Sequence, residues 1–253
     1  MEPKIIALCG KGGVGKTSIS ALVVRHLKET YPDKKILAID ADPAVGLATA
    51  LGVEVSSTVD DIRKLFIGNV ESGDTSAAIE VLSEAKYRMY DALIEFDNVS
   101  FLAIGRPESA GCYCKVNAYL KEVISLIANN FDYVVIDGEA GIEQVNRRVM
   151  GKVTHLLLVS DGSKKGLNVV KTIYEVAKNL TMFETAGVII NRLVDMSYEG
   201  KLEAGDIPIL AYIEEDKNIS LSDMRGDSVF LLDKESPIYV KTKAALKALE
   251  IIN

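Results

Sequence analysis

The amino-acid sequence predicts an α/β fold, a mostly parallel sheet flanked by helices on both faces. Two observations carry that expectation. Short apolar runs of strand length alternate with longer runs in which apolar residues recur at spacings of three and four. A glycine-rich stretch joins the first strand run to the first helical run, at the carboxyl end where such sheets present ligands.

The strand runs are Ile5 to Cys9, Ile36 to Asp40, Ser100 to Ile104, Tyr133 to Asp137, His155 to Ser160, Gly187 to Asn191 and Ile209 to Ile213. The clearest helical runs are Lys16 to Glu29, Lys115 to Asn129, Leu167 to Asn179 and Ile238 to Ile252. Connections between parallel strands should be right-handed crossovers. The stretch Ser56 to Asp91 is less regular; its turn signals at Ile67-Gly68-Asn69 and Ser72-Gly73-Asp74 predict short surface helices. No internal repeat, low-complexity tract or linker divides the chain. At 253 residues and 48% hydrophobic content it can bury one substantial core, so residues 1–253 read as a single domain.

Charge and cysteine content narrow the function. With 29 basic and 36 acidic residues the net charge is −7, which disfavours a broad footprint on nucleic acid or an anionic membrane. Met1-Glu2-Pro3-Lys4 runs straight into the first strand with no secretory leader, and no apolar run approaches the ~20 residues that span a bilayer. The sequence therefore predicts a soluble, cytoplasmic protein with no nucleic-acid and no membrane partner. The three cysteines do not form a secreted disulfide framework. Cys112 and Cys114, one residue apart, suggest metal or redox chemistry, whereas Cys9 lies inside the first strand and reads as a core residue.

Gly10-Lys11-Gly12-Gly13-Val14-Gly15-Lys16-Thr17 has the full spacing of a phosphate-binding P-loop. Glycines let successive N–H groups curl around an anion, and the helix starting near Lys16 turns its positive end toward it. Lys16 should meet the β- and γ-phosphates, Thr17 should bind Mg²⁺, and Ser18 continues the nucleotide-binding turn. Two further strand runs end in acids: Ile39-Asp40-Ala41-Asp42-Pro43 and Val135-Ile136-Asp137, the latter followed by Gly138-Glu139-Ala140-Gly141. Carboxylates at strand ends accept hydrogen bonds from water, including metal-bound water.

The loop Lys11-Gly12-Gly13-Val14-Gly15-Lys16-Thr17 resembles the deviant Walker motif of the MinD, ParA and nitrogenase iron-protein superfamily, a MinD-like (SIMIBI) class of P-loop NTPase. The resemblance implies ATP hydrolysis to ADP and phosphate by a homodimer in which Lys11 reaches the nucleotide of the other subunit, much as an arginine finger does. It places Asp40 and Asp137 near Mg²⁺ and gives Asp42 the attacking water. Glu139 and Gly141 then belong to a second switch, with the Gly141 N–H directed at the γ-phosphate. Val188-Ile189-Ile190-Asn191-Arg192 resembles the adenine-binding segment, and residues after Ile207-Pro208 complete the purine pocket. Where family members often carry an asparagine after the first switch, this chain has Ala44-Val45-Gly46-Leu47.

Two thiolates at Cys112 and Cys114 supply half of a tetrahedral shell. Near a dimer two-fold axis, two subunits would give four sulfurs to one Zn²⁺ or Ni²⁺ ion. Gly111-Cys112-Tyr113-Cys114 in a chain of this length resembles the CooC-type ATPases that mature nickel enzymes. That resemblance implies an apo carbon monoxide dehydrogenase or acetyl-CoA synthase as client. Two other readings compete. A nitrogenase-iron-protein-like reductase would need cluster cysteines in two separated segments, yet Asp137 to Arg148 contains none. A MinD- or ParA-like positioning ATPase could use Lys241, Lys243 and Lys247 as a basic face, but the helix Tyr239 to Ile252 instead reads as packing Leu246, Leu249 and Ile252 against the core, and the cysteine pair has no role in that function.

Overall fold

The computed structural model describes residues 2–42, 45–70, 84–105, 114–138, 141–180 and 182–253. The chain runs β1 (Lys4–Gly10), α1 (Lys16–Thr30), β2 (Ile36–Asp40), α2 (Gly46–Leu51), α3 (Val59–Val70), α4 (84–91), β3 (Ile94–Phe96) and β4 (Val99–Ala103). It continues with α5 (Cys114–Ala128), β5 (Tyr133–Asp137), α6 (Ile142–Arg148), β6 (His155–Ser160), α7 (Lys164–Asn179), β7 (Thr185–Leu193), β8 (Ile209–Glu214), α8 (Lys217–Arg225) and α9 (Pro237–Ala248).

The strands form one eight-stranded sheet in the order β3-β4-β2-β5-β1-β6-β7-β8, parallel except at the β3–β4 edge. Burial on both faces explains why β2, β4, β5 and β6 lack the polar alternation of a half-exposed sheet. Alternate strand residues face opposite layers. Ala7, Cys9, Leu37 and Ile39 join a core under α5, α6 and α7, which contribute Ile124, Val145 and Val170. Ile6, Leu8, Ile36 and Ala38 join a second core under α1, α2 and α9, with Leu22, Leu47 and Leu246. The predicted α/β architecture is the one observed.

Three local features depart from the sequence reading. The edge strand β3 was not expected; it is three residues long and returns into β4 through Asp97, whose φ of 50° is left-handed. Strand β7 runs on to Leu193 through Arg192, at φ 56°. The last helix stops at Ala248, short of the Ile252 its periodicity suggested. Glu250 turns left-handed there, Ile251 N–H bonds to the Leu246 carbonyl and Glu250 N–H to that of Lys247. This reverse turn caps the helix while burying Ile251, whose apolar side chain had mimicked another helical position. Among the described residues no helix is long and apolar enough to cross a membrane.

Candidate nucleotide site

The phosphate loop lies in the middle of the sheet, because β1 is flanked by β5 and β6. A Cβ on Gly10 would collide with the carbonyl oxygen of Val159 on β6. Gly15 caps the start of α1 at φ 87°, where a side chain would be strained and would stand 2.7 Å from the Asn191 amide nitrogen. Gly12 and Gly13, by contrast, have no atoms within 4 Å of where a Cβ would project. No side chain caps the first turn of α1, so its free N–H groups are available to an anion.

The two loop lysines are held differently. Lys16, only 8% exposed, folds back so that Nζ donates to the Lys11 carbonyl at 3.2 Å. Lys11 stands at the rim, where its Nζ is 2.5 Å from Asp161 Oδ2 just beyond β6. That contact, with the Ser163 hydrogen bonds, outweighs burial and holds the Asp161 carboxyl below its usual range. On this side of the loop a cleft of about 520 Å³ opens between Lys11, Gly12 and Gly13 and the apolar Leu193, Val194 and Tyr198.

Asp40 and Asp137 are direct neighbours across the β2–β5 ladder, both essentially fully buried. Asp40 accepts N–H bonds from Leu47 at 2.8 Å and Asp42 at 3.1 Å. Asp137 Oδ1 accepts the Ser20 hydroxyl at 2.8 Å, and Thr17 bonds to the same carboxylate. Burial, reinforced by the Asp137 charge, pushes Asp40 up to about 7. Burial pushes Asp137 up to about 6, against the opposing hydrogen bonds of Ser20 and Thr17 and the charge of Lys16.

Asp137 Oδ2 is buried without a hydrogen-bond partner. An orphaned carboxylate oxygen beside a threonine hydroxyl and a second buried acid is a hard-oxygen donor set, and it fits Mg²⁺ held partly through water. Asp42 follows on the loop out of β2, and Val45 closes that turn with its N–H on the Asp42 carbonyl. Val45 has φ 51°, a strained setting for a β-branched residue.

Opposite the first turn of α1, Asn191 is buried at the end of β7 and its Nδ2 donates to the Val14 carbonyl at 2.8 Å. Arg192 Nη1 reaches the Gly13 carbonyl at 2.9 Å. Both residues thus brace the loop from behind. A narrow cleft beside them is lined by Ser18, Asn191, Arg192, Ile213, Asp216 and Ile219, the last three from the segment after Ile207-Pro208.

The structure thus brings Gly10 through Ser18, Asp40, Asp42, Asp137, Asn191 and Arg192 to one end of the sheet. Gly141 caps the start of α6. Glu139 and Cys112 lie outside the described residues, and Cys114 opens α5 with only its backbone described. Among the described residues no group of three or more His, Cys, Asp or Glu could hold a metal ion. Cys9 is a buried core residue whose thiol is pushed up to about 12 by burial. Two site residues escaped the sequence reading. Ser20 looks like one more small residue in an apolar helix, and Asp161 meets Lys11 from 150 positions away.

A family model described as an AAA domain matches residues 3–185. An uncharacterised ATP-binding protein of Methanocaldococcus jannaschii, MJ0685, is 35% identical over 94% of this chain and 95% of its own length. The carbon monoxide dehydrogenase accessory protein CooC of Rhodospirillum rubrum is 28% identical over 89% of both chains. In fold, the Pyrococcus horikoshii septum site-determining protein MinD complexed with Mg-ADP superposes with a TM-score of 0.70, covering 98% of this chain and 97% of that one at 24% identity. With a complete phosphate loop at the centre of such a sheet, the chain belongs to this AAA domain family and is a P-loop ATPase with the fold of that MinD structure.

Proposed function

We propose that the protein is an ATP-hydrolysing metallochaperone. In this reading its 253 residues act as one ATPase domain that closes into a homodimer with Mg²⁺ and ATP. The dimer holds Ni²⁺ or Zn²⁺ between Cys112 and Cys114 of both subunits and supports Ni²⁺ insertion into an apo carbon monoxide dehydrogenase or acetyl-CoA synthase. The observation that carries this reading is the Cys112-Tyr113-Cys114 pair in a chain whose second loop lysine, Lys11, stands at the open rim of the nucleotide site. Similarity to the Rhodospirillum accessory protein adds support.

In the proposed reaction the loop N–H groups and Lys16 hold the β- and γ-phosphates. Mg²⁺ supplies charge neutralisation on those oxygens, and Thr17, Asp40 and Asp137 are the residues that would hold it. Asp42 orients the attacking water, and the Gly141 N–H meets the γ-phosphate side. Lys11 leaves Asp161 and crosses to the partner's nucleotide, which makes turnover depend on pairing. Metal and ATP then favour the same closed dimer, so each raises the apparent affinity of the other.

A positioning ATPase is the second reading, favoured by the fold likeness to MinD. The experiment is metal analysis with sedimentation, with and without ATP, on wild type and the Cys112→Ala, Cys114→Ala double variant. One metal per dimer that disappears in the variant is expected. A variant that still dimerises around stoichiometric metal rules the shared thiolate site out, and ATP-dependent vesicle binding by a metal-free dimer would favour positioning.

A further inference from the structure

Ser20 is a buried polar group that the phosphate-binding motif does not account for. It lies on α1 three residues after Thr17 and four after Lys16, hence on the same helical face. Its neighbours Ile19 and Ala21 are fully buried, and so is Ser20 itself. A hydroxyl in such a stripe is unfavourable unless it is bonded. Its bond goes to one atom, Asp137 Oδ1, at 2.8 Å.

The carboxylate this bond holds has a loosely defined plane of its own, because the last torsion of an aspartate is broad and roughly two-fold. The Lys16 ammonium is one charge felt at Asp137, and a metal ion beside Thr17 would be a second cation drawing on the same carboxylate. One oxygen is fixed by Ser20 while the other, Oδ2, is buried without a partner. We propose that Ser20 is a positioning residue that sets the plane of the Asp137 carboxylate, reserving Oδ2 for the hydration shell of Mg²⁺ instead of an ion pair with Lys16. The proposal rests on the Mg²⁺–ATP reading above and deepens it. Residues that orient a ligand in this way typically contribute about 10- to 100-fold in metal affinity.

The test uses Mn²⁺ as a spectroscopic stand-in for Mg²⁺, titrated by electron paramagnetic resonance into the full chain with a non-hydrolysable ATP analogue. Ser20→Ala should weaken Mn²⁺ about tenfold, while analogue binding in the presence of a chelator stays unchanged. Ser20→Cys, which fills nearly the same space with a weak donor, should lose affinity in the same direction, tying the loss to the hydroxyl and not to a cavity. In an Asp137→Asn background, Ser20→Ala should have no further effect on Mn²⁺. Unchanged Mn²⁺ affinity in both Ser20 variants, or an equal loss with and without the Asp137 charge, overturns the proposal. Absence of Mn²⁺ uptake by the wild-type complex would instead overturn the Mg²⁺–ATP reading, and the role of Ser20 with it.

Discussion

The two ends of α1 are built from similar residue types and treat them in opposite ways. At its start, Lys16, Thr17 and Ser20 face Asp40 and Asp137, two buried acids side by side with one oxygen left unpartnered. At its end, Arg25 donates to the carbonyls of Val229 and Leu232, both at 2.7 Å, and to Glu29 at 2.9 Å. Glu29 also accepts from Tyr239 at 2.6 Å and pairs with Lys234 at 3.0 Å. His26 donates to the Tyr239 carbonyl at 3.0 Å, and the Arg25 guanidinium lies over the Tyr239 ring. The satisfied end ties α1 to α9 and holds the fold. The start of the helix keeps a buried carboxylate oxygen without a partner, the arrangement the proposed Mg²⁺ and nucleotide would use.

Substitutions at the two ends should therefore separate binding from stability. The largest effect is expected from Lys16→Ala, which should abolish ATP binding in calorimetric titration while leaving the melting temperature of the free protein close to wild type. Lys11→Ala should spare binding and lower turnover by about 10³-fold; equal loss of binding in the two variants would contradict a role for Lys11 in trans. At the other end, Arg25→Ala should cost about 2 kcal/mol of stability by denaturant titration, since it takes the donor from two part-buried carbonyls and removes one of the three partners of Glu29. ATP affinity should hardly change, and a large change would erase the distinction between the ends.

Acidity should pull the two ends in opposite directions. Asp40 and Asp137 are raised to about 7 and 6, so the stability they contribute is fully present below about pH 4 and is lost as pH rises through those values. Burial lowers His26 to about 4, so its contribution is present above about pH 6.5 and is lost as pH falls through 4. Without nucleotide, Asp40→Asn should raise the denaturation midpoint at pH 8 and bring it closer to the value at pH 5. The smallest effect is at Val45, where glycine at a left-handed φ should add about 0.5–1 kcal/mol, read as a small rise in melting temperature.

What could be read beforehand was whatever the chain writes locally. The phosphate loop and the acids closing β2 and β5 are each contiguous patterns, and periodicity located seven of the eight strands found among the described residues. What stayed hidden depends on partners distant in sequence. Ser20 gains its meaning from Asp137, 117 positions away, and until the strands are ordered a serine among Ile19, Ala21 and Leu22 has no special status. Asp161 reads as an ordinary strand-end acid until β6 is seen beside β1. The three-residue β3 is too short for an alternation to register, and the end of α9 was disguised because Ile251 is apolar in the turn just as it would be in a helix.

The glycines of the phosphate loop carry one last consequence. Gly10 is excluded from growing by Val159, a backbone neighbour present whether or not any ligand is bound, whereas Gly12 faces open space. In a saturation scan scored once for folded abundance and once for ATP turnover, position 10 should fail both assays and position 12 the second alone. A motif that looks uniform on paper would then divide into a part selected for assembly and a part selected for what arrives afterwards.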